Sequence, residues 1–423
     1  MESRRTQDKL PSYEAALGTL IKAAPHMPDA EIGLDHAIGH VLSKAVLADR
    51  DQPPFNRAAM DGFALIAAHY QVNQWLPIVG EIFAGQLPDP NVDLATGVSR
   101  IATGAAVPEP YDTVIQVELS EVSEDGSHVR FSKDPVSAGD HIHKRASDAT
   151  AGTELLSPGI KLSPHHLAIA ATAGAVQLSI KEPPRISLMT TGDEVLPPET
   201  TASQIQTHQI RNSNAAMLKQ LASLVGGNLA EHIHIKDEEN ALIQTAERLA
   251  TQSDIILTTG GVSAGTRDLL PNIWQGLGYI PIVHGVMIQP GKPIFIAQPA
   301  DGDGPMIIGL PGNPVSVLVT FHLFVWPLIN HMQSIEAHHH DHALPWRRVW
   351  NAEALKPNPK RELFRMARFI GDTHDQIERI SWQGSGDIAH TAEAAGLIRL
   401  PMQNDLIPPG SPIAFLPLLG NAV

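Results

Sequence analysis

Among its 423 residues the sequence has no cysteine. That excludes disulfide staples, thiolate catalysis and Cys-ligated zinc, and leaves no cross-link that would point outside the cell. Positive charge is scarce as well: 30 Lys and Arg stand against 45 Asp and Glu, a formal charge of -15. Nucleic acid and anionic membranes both select a net basic footprint, so neither is an expected partner. Long hydrophobic runs are missing too. The most apolar stretch, 315–329 (VSVLVTFHLFVWPLI), is shorter than the roughly 20 residues that span a bilayer, and it carries Thr320, His322 and Pro327. It reads as a buried helix. The N-terminus has mixed charge and no apolar h-region, so no secretory signal is read and the expected compartment is the cytoplasm. Neither G-x-x-x-x-G-K-[ST] nor G-x-G-x-x-G occurs, which disfavours a P-loop NTPase and an NAD enzyme.

What is present is the composition of a folded protein, 43% hydrophobic and 18% charged, with length for about three domains. YEAALGTLIKAA and GLDHAIGHVLSKAVLA, between residues 13 and 49, read as two helices, the second on the helical spacing of Leu34, Ile38 and Val41. Short alternating runs over 76–135 (LPIVGEIFAG, VSRIATG, DTVIQVEL, HVRFS) predict an antiparallel β domain. From Pro183 strands alternate with helices: ISLMTTGDEV, then a helix over 214–224, HIHIK, a helix over 240–252, DIILTTGGVSAG, and MIIGLPGNPVSVLVTF. That alternation predicts a parallel, doubly wound sheet. Beyond residue 333 a histidine-rich linker leads to short strands of a small β domain. His338, His339, His340 and His342 lack the H-E-x-x-H spacing and read as a solvated linker with adventitious metal affinity.

Three strands of the middle region end in small Gly-rich turns, 190–193, 258–265 and 309–316. Ligands of open α/β sheets sit outside such strand ends, where glycine admits close backbone approach and helix N-termini offer N–H groups to anions. One such turn alone is better read as a tight connection; three in one domain point to a phosphate-bearing ligand. Asp193, Glu194, Asp237 and Asp268 fall beside these turns. Singly each reads as a surface acid, but carboxylates next to an anion site make electrostatic sense if Mg²⁺ bridges them.

Five collinear segments together resemble the molybdopterin molybdenumtransferase family, which includes MoeA and the gephyrin E domain. They are PPFNRAAMDGFA (53–64), RIATGAAVPEPYDTVIQVE (100–118), TTGDEVLP (190–197), TTGGVSAGTRD (258–268) and QPGKP with GLPGNPVS (289–293, 309–316). QIRNSN (209–214) and QGSGDI followed by AAGLIRLP (383–401) are weaker echoes. The resemblance implies a multidomain α/β and β fold: a helical domain (1–52 plus 145–182) with an inserted small β domain (53–144), a doubly wound, MogA-like molybdopterin-binding domain (183–332), and a C-terminal β barrel (333–423). It implies a homodimer, and Mg²⁺-dependent insertion of molybdate into adenylylated molybdopterin with release of AMP. Transient contact with molybdenum-enzyme maturation proteins is part of the same expectation.

Position by position, Asp61, Asp148, Glu194, Asp237 and Asp268 match the family's functional acids; Asp61, Glu194, Asp237 and Asp268 are the implied Mg²⁺ ligands. Thr103, Gly260, Gly261, Ser263, Lys292, Gly312, Asn313, Ser316 and Ser385 match its substrate-binding positions. An arginine joins them, Arg361 or Arg365, which spacing does not decide. Lys292, Ser316, Ser385 and that arginine resemble the family's molybdate pocket. Several positions depart from the pattern. Gln289 stands where the family usually has lysine, a change expected to weaken molybdate about ten-fold if the contact is worth about 1.5–3 kcal/mol. Asn56-Arg57-Ala58 replaces Asp-Asn-Ser, Ala146-Ser147 replaces Gly-Glu, Thr266 replaces an acid, and Asn212 replaces Asp. Two other readings remain: a molybdopterin-binding or scaffold protein without insertion chemistry, and a nucleotide-handling hydrolase that shares only the middle domain.

Overall fold

The computed structural model describes residues 10–261, 269–335 and 344–420. Its centre is a six-stranded sheet in the order Asn228–Ile235, Arg185–Thr191, Ile255–Thr259, Met306–Leu310, Phe295–Pro299, Tyr279–His284. The first four strands run parallel, as the alternation of strand and helix predicts. Phe295–Pro299 runs antiparallel to both of its neighbours, so the sheet is mixed rather than all parallel. The reason is local: 295–299 and 306–310 follow each other without an intervening helix, and a short connection permits only an antiparallel return.

The helices Ser213–Leu224 and Glu239–Ala250 stand where their periodicity predicts. Asn212 caps the first, its Oδ1 accepting from the Ala215 N–H at 2.9 Å. Asparagine at this position therefore retains the capping function that aspartate would serve. The apolar stretch is also helical, Pro314–Met332, with a π-helical turn at Phe321–Val325. By length and composition alone it could cross a membrane, but 89% of its most apolar window is buried within the protein. It is a core helix.

His322 within it is fully buried, with Nδ1 2.8 Å from the Leu318 carbonyl and Nε2 accepting from the Leu419 N–H at 3.0 Å. Only the neutral Nδ1–H tautomer satisfies both partners. Burial lowers its pKa from 6.5 to about 4, so the folded state binds fewer protons than the unfolded one between those values. Its contribution is complete above pH 6.5 and is lost as pH falls towards 4. Urea denaturation at pH 7 and pH 5 should show wild type losing about 2 kcal/mol more than His322→Asn. Equal losses would remove His322 as the cause.

The second predicted helix does not form. Asp29–Gly33 and Val41–Leu42 are instead strands on either side of Gln177–Lys181, separated by a single 3₁₀ turn at Leu34–His36. Gly39 takes φ +80°, and Ile38 is 54% exposed, so the spacing read as an apolar face is not one. Pairing with a segment about 150 residues away, in the register Asp29↔Lys181, overrides local propensity. The helix Pro164–Thr172 follows the same small sheet in space. The strands predicted over 76–135 belong to a second six-stranded sheet, ordered Thr113–Gln116, Gly62–Leu65, Val98–Ile101, Leu76–Ile82, His128–Phe131, Ser120–Val122. It is antiparallel except where Leu76–Ile82 runs parallel to Val98–Ile101.

The C-terminal strands close a barrel. Glu362–Ile370 pairs with both Gln376–Arg379 and Gly396–Leu400, while Arg347–Asn351 and Pro412–Pro417 complete the ring. Val349, Leu363, Ile377, Ile398 and Phe415 fill it. One further pairing places the candidate site: Ile288–Gln289, from the central region, adds in parallel to Glu362–Leu363 of the barrel. The first helix, Tyr13–Ala23, packs Tyr13, Leu17 and Leu20 into the core shared by the long helix and barrel residues Phe364 and Met366.

Candidate active site

The parallel strands end at one edge of the central sheet. Thr191 pairs with Ile235, Thr190 with Thr259, and Thr259 with Leu310, so the turns that follow stand side by side. Strand order reverses between the first two of these turns, the switch point at which open α/β sheets bind ligands. Glycine is favoured at two positions there, at Gly192 by its backbone angle and at Gly260 by its backbone angle and a backbone neighbour. Gly192 takes φ +130°, and a Cβ on it would stand 2.8 Å from Glu194 Oε2. Gly260 takes φ +93°, and a Cβ on it would stand 2.7 Å from the Thr191 carbonyl oxygen.

A cavity of 220 Å³ opens between these turns, lined by Thr190, Glu194, Asn212, Asn214, Gly260 and Asn313 among others. Asn214 ties its walls together, Nδ2 donating to Thr259 Oγ1 at 3.0 Å and to the Gly312 carbonyl at 2.7 Å. Asn212 Nδ2 donates to Thr190 Oγ1 at 3.0 Å, so this residue serves both the helix cap and the cavity. Negative charge gathers beside it. Burial raises the Asp237 pKa, Asp193 and Glu194 raise it further, and a hydrogen bond from Thr191 works against them. Among the described residues no three carboxylate or imidazole groups form a ready metal cage. Mg²⁺ does not need one, because it binds through one or two carboxylates with water and phosphate oxygens filling the shell. The mutual repulsion that burdens Asp237 is what a cation would relieve. Ser263, Asp268 and the histidine run 338–342 lie outside the described residues.

A second cavity, 430 Å³, lies where Ile288–Gln289 meets the barrel. Gln289, Lys292, Asn313, Ser316, Arg361, Arg365, Trp382 and Ser385 line it, with no carboxylate in the lining. In a chain of charge -15 such a concentration of cations marks an anion site. Both arginines that spacing left open face it. Arg365 stands 5.5 Å from the Trp382 ring centroid, and burial, with Arg379 nearby, lowers its pKa. An anion in the cavity would offset that burden on its charge. Gly291, at φ +104°, brings the loop against Thr320, where a Cβ would meet Cγ2 at 2.5 Å. Gln289 supplies a neutral amide, its Oε1 3.5 Å from Asn358 Nδ2. Gly312 and Asn313 line both cavities and form their common wall.

The remaining acids lie elsewhere. Asp61 Oδ1 accepts from the Thr103 N–H at 2.7 Å and Oγ1–H at 2.9 Å, and these bonds hold its carboxyl below the usual range. Asp148 accepts from the Ser147 hydroxyl at 3.1 Å, and its N–H donates to the Gln52 carbonyl. Arg57 turns to His143 Nδ1 at 3.1 Å. None of these residues lines either cavity. The structure thus brings Glu194, Asp237, Gly260 and Asn313 to one edge and Lys292, Ser316, Arg361, Arg365 and Ser385 into one pocket, while Asp61, Thr103 and Asp148 stand apart. Sequence reasoning missed Asn214 and Trp382 as lining residues, although each sits inside a segment (QIRNSN) or beside one (QGS) that carried a signal.

A molybdopterin molybdenumtransferase from Synechocystis is 32% identical over 318 residues, 74% of this chain and 79% of its own. The chain belongs to the molybdopterin molybdenumtransferase family. A second relative, from Synechococcus elongatus, is 33% identical over 327 residues, with 75% and 79% covered. Residues 11–174 match the MoeA N-terminal region (domain I and II), and 187–331 match a probable molybdopterin binding domain. The molybdopterin biosynthesis MoeA protein of Pyrococcus horikoshii, solved by crystallography, superposes with a TM-score of 0.79 at 25% identity, covering 97% of this chain and 100% of that one. The family membership makes this chain an enzyme of molybdenum cofactor biosynthesis and accounts for the fold: a doubly wound molybdopterin-binding unit, an N-terminal region with an inserted β sheet, and a C-terminal barrel.

Proposed function

We propose that the protein inserts molybdate into adenylylated molybdopterin in a Mg²⁺-dependent step that releases AMP and yields molybdenum cofactor. The observation that carries this reading is the shared wall: an acid-flanked cavity at the strand ends adjoins a cation-lined one through Gly312 and Asn313. Lys292, Arg361, Arg365, Ser316 and Ser385 supply the fixed cations and hydroxyls that a tetrahedral dianion needs. The first cavity holds the pterin substrate beside it, so the two reactants meet without diffusing. Glu194 and Asp237, with Asp268, are the residues that would hold Mg²⁺, whose Lewis acidity takes negative charge off the leaving AMP.

Asp61, Thr103 and Asp148 do not reach these cavities within one chain, which supports action as a homodimer in which a second copy brings them to the site. The cytoplasm as compartment, and hand-over of the product to maturation proteins, belong to the same proposal. The test is AMP release from adenylylated molybdopterin with Mg²⁺ while molybdate is titrated, on wild type and Gln289→Lys. The added cation should lower the KM for molybdate about ten-fold. Tight pterin binding without AMP release at any molybdate concentration would leave a binding or scaffold protein instead.

A further inference from the structure

Asn313 reaches from the wall between the cavities to the barrel. Its Nδ2 donates to Ser385 Oγ at 2.9 Å, beside a backbone bond from the Val315 N–H to the Ser385 carbonyl at 3.1 Å. Behind it the wall is fixed, because Asn214 holds the Gly312 carbonyl at 2.7 Å and Thr259 Oγ1 at 3.0 Å. A hydroxyl that already accepts from an amide keeps its own O–H free to donate elsewhere. Lys292, Arg361 and Arg365, lining the same cavity, have no acceptor to offer it. An oxyanion does.

We propose that Asn313 is a positioning residue: by donating to Ser385 Oγ it turns the Ser385 hydroxyl into a fixed donor towards the oxyanion. The assignment rests on the reading of the cation-lined cavity as the molybdate site. Without the amide, the hydroxyl would divide its time among rotamers, and the QGSG loop of the barrel would lose a tie to the wall. The same residue lines the pterin cavity, so a ligand there bears on the donor geometry of its neighbour.

The test is calorimetric binding of molybdate alone to the full chain, in a double-mutant cycle. Ser385→Ala should weaken binding about ten-fold, the usual loss for one hydrogen bond to a charged group. Asn313→Ala should weaken it nearly as much, and in the Ser385→Ala background it should add almost nothing. Asn313→Leu, which is close in volume, uncharged and unable to donate, should behave like the alanine variant and stands in for it if that variant does not fold. Additive losses, or an Asn313→Leu that binds as tightly as wild type, would overturn the positioning role. Failure of wild type to bind molybdate at all, with molybdopterin still bound, would instead overturn the oxyanion reading on which the role depends.

Discussion

Gly260→Ala is expected to lower molybdopterin affinity about 100-fold and to leave the barrel intact. The residue stands at φ +93°, a conformation that costs a side-chain-bearing residue about 1–2 kcal/mol on its own. The added Cβ would also come within 2.7 Å of the Thr191 carbonyl oxygen and 2.8 Å of Thr191 Oγ1. That carbonyl belongs to the last residue of the strand Arg185–Thr191, held by its pairing with Ile235, so it is the Gly-Gly turn that must move. Thr259 moves with it, and through Thr259 Oγ1 so does Asn214, which sets the position of the Gly312 carbonyl on the opposite wall. A shift of about 1 Å in such a site costs about two orders of magnitude. Gly278→Ala is the control. It carries the same kind of strain, φ +87°, with nothing within 4 Å of the added carbon and no place in either cavity. Equilibrium binding of molybdopterin to both variants, with thermal melting alongside, separates turn strain from site geometry. Equal affinities in the two variants would sink the assignment.

The turn just described was legible in the sequence because its signals are local. A strand run ending in Thr-Thr-Gly-Gly needs no partner to be recognised, and three such endings foretold the edge where Thr191, Thr259 and Leu310 now stand. The cation pocket was legible only through resemblance, since Lys292, Arg365 and Ser385 come from three separate segments that physics alone does not bring together. What was illegible depends on pairing. Residues 33–48 have helical spacing, and only distant partners make strand within them: Gln177–Lys181 for Gly33 and Val41–Leu42, Glu154–Leu156 for Val46–Leu47. The direction of Phe295–Pro299 was hidden for a related reason: the buried run Phe295–Ala297 is equally apolar whichever way the strand points. Asn214 escaped notice because a helical asparagine ordinarily reads as a cap or a surface residue, and its bond to Gly312 spans 98 positions. The separation of Asp61 and Asp148 from the cavities was hidden too, since a matching motif says nothing of how far it folds from the next one.

Arg365→Ala is the second large effect expected, a loss of about 100-fold in molybdate affinity with stability unchanged or slightly raised. A guanidinium half withdrawn from water forms charge-assisted bonds to an anion worth about 1.5–3 kcal/mol each, and its fork makes two where a lysine makes one. Trp382 beneath it, 5.5 Å from ring centroid to guanidinium carbon, keeps that fork turned into the cavity. Arg365→Lys should therefore recover only part of the loss, remaining about ten-fold weaker than wild type, because an ammonium forfeits both the second bond and the planar stack. Stability should move the other way. Burial and the neighbouring Arg379 both work against the charge in the folded state, so with no anion bound the arginine is a liability that alanine removes. Lost binding with an unchanged or higher melting temperature cannot then be blamed on unfolding. Calorimetry with molybdate, paired with melting curves in its absence, reads both quantities on the same preparations. A variant that binds molybdate like wild type, or that melts several degrees lower, would show that Arg365 holds the barrel strand rather than the oxyanion, and would leave Arg361 and Lys292 as the cations of the site.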